Sequence, residues 1–149
     1  ACASCIGAIL AGAPPALVDA LSDYGLHLGL AFQAVDDLLG IWGDPEATGK
    51  PAWSDVRQGK NSLPIAAALS SREPGAEELR ELRARKELSE LELGRAVELI
   101  EVCGGRERAE TEAREQLAAA LAALEGVTIE PRAHEELVGL ARFLGERDY

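Results

Sequence analysis

The sequence predicts an all-α protein, and three observations carry that prediction. Apolar residues recur at helical spacing, and no sustained alternation of the kind a strand needs occurs. Alanine and leucine dominate while aromatic residues make up only 4%, a composition suited to close packing of helices. Proline and glycine gather at a few places, among them Pro14-Pro15, Gly43 to Gly49, Pro74-Gly75 and Gly104-Gly105, and cut the chain into segments.

A first helix, rich in small residues, is expected from Cys2 to Gly12. Pro14-Pro15 stops it, and Pro15 suits the first turn of the next helix, where a missing amide costs nothing. That helix is expected from Ala16 to Trp42. Leu26, Leu28, Leu30, Phe32, Val35, Leu38, Leu39 and Ile41 spread around its circumference, the pattern of a helix buried on every side. Gly43 to Asp55 reads as a loop. A short apolar helix follows from Leu63 to Ser70, then a charged, exposed one from Ala76 to Lys86. Ser89-Glu90-Leu91-Glu92 forms a capping box and opens a helix that ends near Gly104-Gly105. Arg106 to Leu124 sets Leu117, Leu121 and Leu124 on one stripe. After a connector at Gly126 to Glu130, Pro131 to Glu146 is expected to face Leu137, Leu140, Ala141 and Leu144 inward. A chain of 149 residues, 47% hydrophobic, is expected to form one core and not two.

The chemistry concentrates in the second helix. Asp36 and Asp37 interrupt an otherwise apolar run, and an ionised carboxylate buried without a partner is very costly. At about 100° per residue, Gln33, Asp36, Asp37 and Gly40 share one face. Hard divalent cations such as Mg2+ take oxygen ligands, often one or two carboxylates completed by water and phosphate. A solvated or capping pair of aspartates is the plainer alternative. Beyond the helix, Lys50 and Lys60 each follow a glycine, where a lysine can approach a phosphate as a compact charge.

Taken together, Phe32-Gln33, Asp36-Asp37, Gly43-Asp44-Pro45, Thr48-Gly49-Lys50-Pro51, Ser54-Asp55, Gly59-Lys60 and Ser62-Leu63-Pro64 resemble the second aspartate-rich region of the isoprenyl (polyprenyl) diphosphate synthases. The small-residue helix before this region and the acidic helices after it are similar to the family's flanks, so the resemblance extends over nearly the whole chain. It implies an antiparallel helical bundle of the isoprenoid synthase type, of which residues 1–149 are the C-terminal portion of a single domain. Two departures stand out. The family motif usually reads Asp-Asp-x-x-Asp, and Gly40 occupies its last position; Asp44 could compensate only if the helix reached it. The family's first aspartate-rich motif, which lies upstream on a facing helix, is absent. With no methionine in the chain, Ala1 is not expected to be the natural start.

The resemblance implies a prenyltransferase that condenses isopentenyl diphosphate with an allylic diphosphate, with Mg2+ as cofactor, into a longer linear product. Asp36 would bind the metal, with Asp37 as a second ligand or its support. Lys50 and Lys60 would hold the diphosphate. Phe32 and Gln33 would lie along the allylic substrate, the amide stabilising positive charge. Two other readings remain open: a class I terpene cyclase, and a non-catalytic subunit of a prenyl synthase complex. Partners implied are the missing N-terminal half of the domain and a second subunit, as homodimer or heteromer. This chain alone is expected to be inactive.

The net charge of −11 argues against nucleic acid and anionic membrane surfaces, and the carboxylates in the apolar run argue against a membrane span. Three cysteines fit a reduced, cytoplasmic setting better than a disulfide scaffold; Cys2 and Cys5 read as small core residues and not as a zinc half-site. His27 and His134 read as structural.

Overall fold

A computed structural model of the chain describes residues 1–49 and 51–145. Among them all regular structure is helical: α1 (Cys2–Leu10), α2 (Pro15–Trp42), α3 (Pro45–Thr48), α4 (Ser54–Arg57), α5 (Leu63–Leu69), α6 (Gly75–Arg83), α7 (Glu90–Val102), α8 (Gly105–Ala123) and α9 (Pro131–Gly145). The expected boundaries recur with small shifts. Pro15 begins α2, and Ser89 caps α7 through a full capping box with Glu92. The segment read as a loop holds two single-turn helices. Asp44 accepts the Glu46 amide at 2.9 Å and Pro45 takes the first position of α3. Asp44 thus caps a new helix instead of extending the acidic face of α2, which stops at Trp42.

The chain forms two compact units where one core was expected. At about 1.5 Å per residue, α2 is roughly 42 Å long, more than one cluster of this size covers; it gives Tyr24 to one core and Ile41 to the other.

The first unit comprises, among the described residues, 1–33 and 112–145. Tyr24, Ala120, Leu124 and Ala141 form its core, joined by Leu117, Leu121 and Leu137. The Tyr24 hydroxyl donates to the Leu137 carbonyl at 2.8 Å, and burial pushes its pKa up. α1 crosses α2 at Gly25, where a Cβ would fall 1.7 Å from Ser4 Oγ.

The second unit, residues 34–111, packs Ile41, Val56, Ile65, Leu79, Leu93 and Ile100 together. Ala76, Leu79 and Leu82 are buried, so α6 is amphipathic and not the wholly exposed helix its charge implied. Its outer face pairs across to α7 through Arg95 and Glu78, bidentate at 2.8 Å. The Arg106 guanidinium lies over the Trp42 ring, 5.2 Å from its centroid, a cation–π contact.

Two burial expectations need correction. α2 is not buried all round: Tyr24, Ala31, Ala34, Val35, Leu38 and Ile41 form a buried stripe, whereas Leu26, Leu30 and Phe32 are exposed. Leu140 in α9 is exposed while Ala141 and Leu144 are buried. In each case apolar residues outnumber the positions that this chain's own helices cover. Cys2, Cys5 and Cys103 are free thiols, the first exposed and the others buried. Among the described residues no helix is long and apolar enough to cross a membrane.

Replacing Ser89 by Ala removes one acceptor from the start of α7 and is expected to cost about 1 kcal/mol of stability. Urea unfolding measures this directly.

Candidate functional site

The acidic face of α2 lies in the second unit and is organised by the segments that dock on it. α4 meets α2 at Gly40. The Ser54 hydroxyl donates to the Gly40 carbonyl at 3.0 Å, and Ser54 and Asp55 are buried. Gly40 is itself the reason for the close approach, since a Cβ there would lie 2.5 Å from Asp55 Cγ. Asp55 therefore sits against the helix face that Asp36, Asp37 and Gly40 define. Lys60 Nζ donates to Asp55 Oδ1 at 2.6 Å. That bond, the charge of Asp55 and then the charges of Asp36 and Asp37 hold the Lys60 ammonium above its ordinary range. Four charged side chains thus act on one another here.

The two aspartates of α2 differ in their surroundings. Asp37 is buried and its Oδ2 accepts the Leu63 amide at 2.7 Å. It supplies the cap of α5 that Ser62, at the N-cap position, does not provide with its own side chain. Asp36 is only partly buried. The capping alternative for this pair therefore describes what Asp37 does.

The remaining expected residues fall as follows. Lys60 joins the acidic face, as above. Lys50 lies outside the described residues. Phe32 and Gln33 are exposed residues of α2 assigned to the first unit. Phe32 lines an apolar cleft of about 510 Å³ with Tyr24, Leu28, Leu137, Leu140 and Leu144. His27 Nδ1 lies 2.7 Å from Gln116 Oε1, a side-chain pairing within the first unit. Asp55 is the residue the sequence reading did not single out. It is the acid of Ser54-Asp55, four positions before Gly59, and its distance from Asp36 along the chain hides the proximity.

Among the described residues no group of three or more His, Cys, Asp or Glu side chains is gathered tightly enough to hold a metal unaided. The donor set nonetheless fits a hard cation of the Mg2+ type, which keeps waters and takes one or two carboxylates together with substrate phosphate. The Ser62 hydroxyl is a further oxygen next to the Asp37–Leu63 contact. It is buried and has no partner among the described residues, the kind of atom that calls for an explanation.

The sequence profile of the polyprenyl synthetase family matches residues 1–100, and the chain belongs to that family. It is 41% identical, over 99% of its length, to a geranylgeranyl diphosphate synthase of Mycobacterium tuberculosis. Among solved structures, a polyprenyl synthetase from Streptomyces coelicolor A3(2) superimposes with a TM-score of 0.91 at 49% identity over 96% of this chain and 44% of that one. A geranylgeranyl pyrophosphate synthase from Corynebacterium glutamicum, complexed with isoprenyl diphosphate and magnesium, matches with a TM-score of 0.84 at 37% identity, over 95% of this chain and 41% of that one. The chain therefore has the isoprenoid synthase fold of these enzymes, and it spans 41% of the length of the Mycobacterium tuberculosis relative.

Removing the Asp37 carboxylate takes away the acceptor of the part-buried Leu63 amide. Asp37→Ala is expected to lower stability by about 1–2 kcal/mol, and Asp36→Ala to cost less. Thermal unfolding of the two variants side by side tests the distinction.

Proposed function

We propose that this chain is the C-terminal portion of an isoprenyl synthase domain whose whole protein condenses isopentenyl diphosphate with an allylic diphosphate, with Mg2+, into a longer linear polyprenyl diphosphate. The supporting observation is Asp36 on an acidic helix face with Asp55 and Lys60 beside it, in a chain of the polyprenyl synthetase family. The named relatives are chain-elongating synthases, which speaks for elongation over cyclisation.

The reaction starts with cleavage of the allylic carbon–oxygen bond, whose electron pair leaves with the pyrophosphate. The resulting allylic cation is attacked by the double bond of isopentenyl diphosphate, and a proton is lost to restore an alkene. No protein nucleophile is required. Mg2+, when bound, supplies positive charge to the departing pyrophosphate. Asp36 would hold that ion, with Asp55 as a further carboxylate on the same face and Asp37 fixing the geometry through Leu63. Lys60 has three N–H donors, of which Asp55 engages one, so the ammonium can bridge the acidic face and a diphosphate oxygen. Lys50 is the second lysine proposed for that anion. The Gln33 amide oxygen would stabilise the cation, and Phe32 would lie along the allylic substrate.

The same reading extends to partners and place. We infer that the diphosphate substrates meet this portion together with an N-terminal portion carrying the first aspartate-rich motif. A homodimer or heteromer fits the exposed Leu26, Leu30 and Phe143. A cytoplasmic location suits the three free thiols.

Asp36→Ala in the full-length protein is expected to abolish Mg2+-dependent formation of longer prenyl diphosphates from radiolabelled isopentenyl diphosphate, with the far-UV circular dichroism unchanged. Near-normal turnover would remove Asp36 from the metal site.

A further inference from the structure

Gly40 occupies the position at which the family's usual motif carries its outer aspartate, and by sequence alone that is the loss of a carboxylate. The packing around it gives a different account. A Cβ on Gly40 would meet Asp55 Cγ at 2.5 Å and the two carboxylate oxygens at 2.6 and 2.8 Å. Asp55 cannot step aside cheaply. It is 3% exposed, its neighbour Ser54 is hydrogen-bonded to the Gly40 carbonyl, and Lys60 holds its carboxylate at 2.6 Å. The side chain is also short, so clearing a Cβ requires turning the whole carboxylate off Lys60.

We propose that Gly40 is a positioning residue whose missing side chain makes the seat for the Asp55 carboxylate. An aspartate placed at position 40 would displace the Asp55 carboxylate while adding another. The catalytic consequence rests on the function proposed above; the coupling between positions 40 and 55 does not.

The test uses the full-length protein with Gly40→Ala, Gly40→Asp, Asp55→Ala and the double variant Gly40→Ala with Asp55→Ala. Without metal, Gly40→Ala is expected to lower the melting temperature by roughly 5 °C or more. The same substitution in the Asp55→Ala background is expected to change it little, because the group it collides with has gone. Acetylation of Lys60 by acetic anhydride, followed by peptide mass spectrometry, is expected to quicken several-fold in Gly40→Ala as the lysine loses its partner. Gly40→Asp is expected to lose roughly tenfold or more in kcat/KM with no gain in Mg2+ affinity. An equal fall in melting temperature in both backgrounds would overturn the proposal. So would a Gly40→Asp protein that melts like the parent and binds Mg2+ more tightly. If the parent protein fails to elongate prenyl diphosphates, the function proposed above falls, while the melting and Lys60 measurements still decide the role of Gly40.

Discussion

The contact between α2 and α4 at Gly40 governs the chemistry-bearing part of this chain. It brings a buried acid, Asp55, from a single-turn helix onto the face of a long one. Such a helix has too few internal hydrogen bonds to be stable by itself. Its place is fixed by Val56 in the core, by Ser54 on the Gly40 carbonyl and by Arg57 on Glu90. Lys60 follows because the Asp55 backbone carbonyl accepts its amide at 3.0 Å while the Asp55 side chain accepts its ammonium. Leu63, three residues further, then reaches Asp37. One close approach of backbones thus orders the whole stretch from Ser54 to the start of α5.

This arrangement resolves a tension in the composition. A chain of net charge −11 is poorly suited to bind diphosphates, which are themselves strongly anionic. Repulsion is met locally. Asp37 is committed to a backbone amide, Asp55 to Lys60, and many surface glutamates to arginines on α6 and α7. Those exposed pairs contribute little to stability, but they quieten charge near the folded surface.

Much of the fold was legible because the chain is punctuated so plainly. Pro15, Ser89 and Gly104 each mark a helix boundary through a mechanism that acts within a few residues. The acidic face was legible for the same reason, as a spacing within one helix. Contacts made across the chain were not. Asp55 has no periodic link to Asp36, and nothing local reveals that Gly40 is small to admit it. The amphipathic nature of α6 was masked by its charge, though Ala76, Leu79 and Leu82 recur at three-residue steps. Burial failed at Leu26, Leu30, Phe32 and Leu140 because apolar character fixes what a residue prefers, and not whether this chain supplies a surface to meet it.

Trp53 stands just before the seat of Asp55, at the N-cap of α4, with φ +58° and ψ +33°. A bulky residue rarely adopts this left-handed backbone, and its ring is held against the core of the second unit. The other tryptophan, Trp42, lies in the same unit under Arg106, and the sequence has only these two. The tryptophan emission of this chain therefore originates wholly in the unit that carries the acidic face. Of its two sources, one is two residues before Asp55 and the other is two residues past Gly40 on α2. Tryptophan fluorescence of this chain is in effect a local signal from the helices that frame its carboxylates.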